Sequence, residues 1–196
     1  VMTSGVTDPT ELYDTTWWGF CPGTSKDPGG LWPTWNILHP HVQDMMLAVY
    51  GELADKVKDS PAFAGMSGRL DSWLWDGLYG VTSLNWGYGD WTVAQFAQET
   101  GIAVPDGPDA AKRFETRYRF LTAGAVKEKW IVWRCARVQD FLRRLRDRIR
   151  GSRKDVTLFL CGSGIVDENH GYPAGISASQ RLREMGIDPV LLQQEE

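Results

Sequence analysis

The sequence predicts an α/β fold with a parallel sheet, a partial (β/α)8 barrel forming one domain over residues 1–196. Three observations carry this expectation. Helical and strand patterns alternate in the order helix, strand, loop, helix, long helix, strand, loop, helix, as expected of parallel strands joined by crossover helices. Both strand segments, PAFAGMSGRL and DVTLFLCG, are short apolar runs, the pattern of strands covered on both faces. A complete eight-stranded barrel takes about 250 residues. A chain of 196 residues with two convincing strands therefore matches a middle portion of one and is expected to be a fragment of a longer protein.

Residues 1–35, rich in Pro, Gly, Thr and Trp, read as a long irregular loop region. Loops of that length are usually functional or packed over something. The first helix should open at Pro40, since proline suits a first turn, and end near Lys58, before Ser60-Pro61. Val42, Met45, Met46, Val49, Leu53 and Val57 recur at spacings of three and four and predict its buried stripe. A strand over PAFAGMSGRL follows, then a loop rich in Trp and Asp. Asp90 is positioned to cap the next helix, which carries Val93, Phe96 and Ala97 inward and stops at Gly101.

Residues 109–150 are helical in pattern almost throughout. A single straight helix of that length would extend about 60 Å, too long for one small domain, so a break is expected near Thr122-Ala123-Gly124. Beyond the break, Trp130, Trp133, Val138, Phe141, Leu142, Leu145 and Ile149 form one apolar side. The arginines between 134 and 153 occupy most of the other, read as a water-facing side, with Arg134 expected to be buried against a carboxylate. DVTLFLCG is the second strand, SGIVDENHGYPAG a polar loop, and SASQRLREMGI a short helix capped by Ser177 or Ser179 and stopped by Gly186.

Composition narrows the function classes. A net charge of −4 gives no reason to expect a nucleic-acid partner. No apolar run approaches the roughly 20 residues of a membrane span. The start VMTSGVTDPT lacks a signal peptide's pattern. Cys21, Cys135 and Cys161 have neither disulfide nor metal-ligand spacing. Ten tryptophans are many for this length and suit ligand platforms as well as core.

At WNILHPHVQ, SPAFAGMSGRL, LNWGYGDWTVAQFAQETGIAVP and WIVWRCARVQDFLRRL the chain resembles the bacterial family 10-like glycosylhydrolases, glycosyl-hydrolase-like (β/α)8 barrels. The resemblance covers about residues 36–160 and rests on order and spacing together. It implies a barrel acting on a glycoside in an exported, periplasmic or extracellular protein.

Barrel chemistry sits in the loops after the strands' C-terminal ends, which selects residues 69–91 and 162–172. Glycoside hydrolysis needs two carboxyl groups flanking the bond, one protonating the leaving oxygen and the other acting as nucleophile or base. Asp71, just past the first strand, is one candidate, and Glu168 or Asp167, past the second, is the other. The alternatives are that Asp71 pairs with Arg69 or caps a turn, and that Asp167 and Glu168 are solvated. Substrate contacts are expected from Arg69, Trp73, Trp75, Asp76, Asn85, Trp86 and Tyr88, with Asn36 beside them and His39 either lining the loop face or tying down the helix start. Aromatic faces stack on sugar rings while polar side chains hold hydroxyls; Trp91, at a helix start, is more simply explained by packing.

No organic cofactor is expected. His39 and His41 form an H-x-H pair with His170 as the sole distant third ligand, so a metal-dependent hydrolase is the weaker alternative. A non-catalytic carbohydrate-binding barrel with an incomplete acid pair is the nearer one.

Overall fold

The computed structural model describes residues 13–14, 16–17, 21–22, 34–69, 84, 87–161 and 175–194. Within the N-terminal region, β1 (Tyr13–Asp14) pairs antiparallel with β4 (Thr34–Trp35), and β2 (Thr16–Trp17) with β3 (Cys21–Pro22). Helix α1 (Pro40–Val57) leads into β5 (Gly65–Arg69). Helices α2 (Asp90–Thr100), α3 (Arg113–Leu121) and α4 (Gly124–Ser152) then precede β6 (Thr157–Cys161). The short helices α5 (Ala178–Glu184) and α6 (Pro189–Gln193) follow.

Strands β5 and β6 pair in parallel, with Gly65 opposite Thr157 and Arg69 opposite Cys161. The segments that follow them therefore depart from one end of the sheet. Helices α1 and α4 lie side by side, and each returns through a short connection into its strand. The Tyr50 hydroxyl of α1 donates to the Ser67 carbonyl of β5 at 3.2 Å. Arg153 ties the two connections together, donating to the carbonyls of Lys58 at 3.1 Å, Ser60 at 2.8 Å and Phe63. The first turn of α1 consequently lies toward the end where β5 and β6 finish.

Helix boundaries follow local chemistry. Proline opens α1, and His39 caps it by accepting the His41 amide hydrogen. Gly101, at φ 71°, closes α2 in the left-handed conformation and donates its N–H to Ala97. The break between α3 and α4 falls at Thr122 and Ala123, and Ser177 caps α5. Helix α4 buries Trp130, Trp133, Val138, Phe141, Leu142, Leu145 and Ile149. They form the core with Phe96, Tyr88 and Val42.

Several expectations need correction. Val42 and Met46 are buried, but Val49, Leu53 and Val57 of the expected α1 stripe are exposed. The face of α1 turned to α4 carries Gly51 and Ala54 instead. Gly51 leaves room for the Arg148 side chain there, since a Cβ added to it would stand 2.2 Å from the guanidinium carbon. The α4 arginines are not simply water-facing. Arg144 donates to Gln43 at 2.8 Å and Asp44 at 3.2 Å, and Arg148 to Asp55 at 2.8 Å, so they bind α1 along its length. Arg134 is buried with its guanidinium over the Trp130 ring, 5.6 Å from the centroid.

The strands are not covered on both faces among the described residues. Burial along β6 alternates, and Phe159 is exposed, because the helices cover one face of the pair. Asp90 does not cap α2. Gly89 takes that place, and the Asp90 carboxylate accepts from Arg113 at 3.0 Å and Arg117 at 2.6 Å.

Candidate functional site

The parallel register sets the site's frame. Arg69 ends β5 directly opposite Cys161, which ends β6. Asp71 therefore follows two residues beyond one strand, and Asp167 with Glu168 follow the other, from the same end. The positions of Asp71, Trp73, Trp75, Asp76, Asn85, Trp86, Asp167, Glu168 and His170 lie outside the described residues. Of Arg69 the backbone is described.

Of the remaining expected contacts, Asn36 and His39 are built into the junction of α1 and α2, and Tyr88 packs against α3 and α4. The Asn36 amide donates to the Thr92 hydroxyl at 2.9 Å, while its carbonyl oxygen accepts the Leu38 N–H at 3.1 Å. Asn36 thus joins the starts of two helices, and it is buried. Tyr88 is also fully buried; its hydroxyl donates to the Leu84 carbonyl and its ring meets Tyr118 edge-on at 5.5 Å. It presents no ring face to a ligand here. Arg117, itself buried, bridges Asp106 at 2.7 Å, Asp90 and the Tyr88 carbonyl at 3.0 Å. The hydrogen bond from Arg113, together with Arg117, holds the Asp90 carboxyl below its ordinary range despite partial burial. Asp90 thus anchors the start of α2 to α3.

His39 Nδ1 accepts the His41 N–H at 3.2 Å, and its ring packs on Trp91 at 4.6 Å between centroids. That cap requires an unprotonated Nδ1. Burial lowers the His39 pKa below its ordinary 6.5, and the neighbouring His41 lowers it further. An unfolded chain then binds more protons than the folded one between the two values. The stability from this cap is complete above 6.5 and is lost as the pH falls below it. The thermal midpoint should drop between about pH 7.5 and about pH 5.5, and His39→Asn, which caps without titrating there, should flatten that drop. Identical pH profiles for the two proteins would remove His39 as the cause.

Among the described residues no group of three or more His, Cys, Asp or Glu side chains stands together as a metal site. No helix among them is long and apolar enough to cross a membrane. Burial pushes the Cys135 thiol up to about 11, and its sulfur lies 3.4 Å from the Arg183 carbonyl it donates to. Cys135 is thus an inert core residue.

A cavity of about 230 Å³ opens between the start of α1, α2 and the middle of α4. Apart from Trp91, weighed above and more simply explained by packing, its residues are not among the contacts expected from the sequence. Glu99 is its hub, accepting from the Trp133 indole at 2.7 Å, Gln95 at 2.6 Å and Arg137 at 3.0 Å. Burial raises the Glu99 pKa, but these donors outweigh it and leave the carboxyl below its ordinary range. The available signals were Gln95–Glu99 and Trp133–Arg137, each one helical turn apart, which place paired side chains on one face. Compared with family models, curated proteins and solved structures, the chain matches none.

Proposed function

We propose that this protein is a glycoside hydrolase-like (β/α)8 barrel portion that cleaves an oligosaccharide or polysaccharide by carboxylate acid–base chemistry. One observation supports the reading most: β5 and β6 are parallel neighbours in register, with Arg69 opposite Cys161. Chain segments carrying Asp71 on one side and Asp167 and Glu168 on the other start from adjacent points at one end of the sheet. Adjacent strand ends are about 4.8 Å apart, so the two acidic segments set out from neighbouring points. In this scheme one carboxylic acid gives its proton to the leaving oxygen, and the other carboxylate attacks the sugar carbon or takes a proton from water. Trp73, Trp75 and Trp86 would supply ring faces for the sugar, with Arg69, Asp76 and Asn85 holding hydroxyls.

The test is Asp71→Asn, which keeps the side chain's shape but removes the acid. Release of reducing sugar should fall at least about 100-fold, while retention on a soluble glycan stays within twofold of the parent. Parental turnover in the variant would strike Asp71 from the mechanism. Glycan binding by a parent protein that releases no reducing sugar would favour a non-catalytic carbohydrate-binding barrel.

A further inference from the structure

We propose that the cavity between α1, α2 and α4 is a separate subsite that holds one neutral sugar ring of a glycan chain. The choice of a glycan rests on the reading above; the lining by itself specifies a small, uncharged ring rich in hydroxyl groups. Size is the first argument. About 230 Å³ lies below the roughly 300–1,000 Å³ of sites for larger ligands, so a single ring fits and an extended cofactor does not.

Charge is the second. Two cationic side chains, Arg137 and Arg144, face two anionic ones, Glu99 and Asp140. Each is held by a neighbour: Arg137 by Glu99, Asp140 by Arg143, and Arg144 by Gln43 and Asp44. A phosphate or a polyamine would meet as much repulsion as attraction. A hydroxyl can donate to a carboxylate and accept from a guanidinium at the same time, so this mixture suits it.

An aromatic residue and fixed polar groups line the same cavity. Trp91 borders the cavity, backed by His39, whose ring is itself fixed by its capping hydrogen bond. The Trp133 indole, also in the lining, is pinned to Glu99 at 2.7 Å. Gln43 is buried, with its amide donating to the Ile37 carbonyl at 2.8 Å and its oxygen accepting from Arg144. These side chains are ordered before any ligand arrives, which lowers the entropic cost of binding. Leu38 and Pro40 complete the apolar part, and they mark the first turn of α1, at the end where β5 and β6 finish.

Affinity electrophoresis in gels containing soluble xylan, mixed-linkage β-glucan, galactomannan or glycogen tests the subsite. The parent should be retarded by at least one of them. Trp91→Ala and Gln95→Leu should each weaken that retardation roughly tenfold, while Asp71→Asn keeps it. Gln95 is half-buried on α2, so its replacement guards against a folding defect in the tryptophan variant. Parental retardation in either groove variant overturns the subsite, as does a parent that none of the four glycans retards. A parent retarded through the groove that hydrolyses no glycan would sink the cleavage reading and leave the subsite standing.

Discussion

Gly65→Ala is expected to cost about 3–5 kcal/mol, enough to threaten folding of the whole chain. Gly65 opens β5 at φ 154°, a conformation that side chains other than hydrogen rarely adopt. Such backbone strain alone costs about 1–3 kcal/mol. A Cβ at this position would also stand 2.0 Å from the Thr157 carbonyl oxygen. That atom is backbone of the paired strand and cannot rotate away. Either β5 shifts and the Gly65–Thr157 end of the ladder opens, or the conformation changes and the register through Arg69 and Cys161 is lost. Gly151 provides the contrast, because a Cβ added there meets nothing within 4 Å. It lies in the last turn of α4, where Gly→Ala should stabilise by up to about 1 kcal/mol. Urea midpoints of the two variants should move in opposite directions. A Gly65→Ala midpoint equal to the parent's would show that the strands do not approach so closely.

That result bears on function as well as on stability. The same ladder sets the common exit of the two acidic segments, so a variant that opens it should lose any chemistry requiring Asp71 and Glu168 together. Asp71→Asn, by contrast, should leave the urea midpoint near the parent's, which separates loss of frame from loss of an acid.

What the sequence showed was local, and what it concealed was long-range. Pro40, Gly101 and Ser177 marked helix ends because capping and left-handed closure are decided within a few residues. The apolar side of α4 was readable because seven large residues repeat at helical spacing and all are buried. Helix α1 misled because its larger aliphatic residues also repeat at helical spacing. Only the partner explains why Gly51 and Ala54 face inward: α4 brings arginine side chains against that face. Residues 101 positions apart meet in the Arg144–Gln43 bond, and no local pattern encodes such a pairing.

The candidate site divides the same way. A rule about strand ends points to Asp71 and to Glu168 or Asp167 from the order of elements alone, and all three lie outside the described residues. The groove around Glu99 was hidden because α1, α2 and α4 each supply a few unremarkable polar residues. Asn36, His39 and Tyr88 suit a ligand by chemical type, yet the Asn36 amide, His39 Nδ1 and the Tyr88 hydroxyl each take part in a hydrogen bond within the fold. A polar side chain beside an aromatic one serves a buried helix junction as well as a sugar, and spacing alone does not distinguish them.

Trp130→Ala should cost about 3–5 kcal/mol through the cavity it leaves. Trp130 is fully buried where α2 and α4 meet. Its ring lies 5.0 Å from Phe96 edge-on, 5.4 Å from Trp133 in a stack tilted by 12°, and 5.9 Å from Tyr88. Among the described residues its indole nitrogen has no hydrogen-bond partner, and a buried donor left so costs about 1–3 kcal/mol. Trp130→Phe removes that donor while keeping an aromatic ring, so its loss should be less than half that of the alanine variant. Because Trp130 supports both Phe96 of α2 and Trp133 of α4, the alanine variant should also loosen the groove between them. Glycan retardation should therefore weaken in Trp130→Ala and persist in Trp130→Phe, read alongside the urea midpoint of each. Equal midpoints for the two variants would mean that the indole's bulk, and not its aromatic contacts, holds α2 against α4.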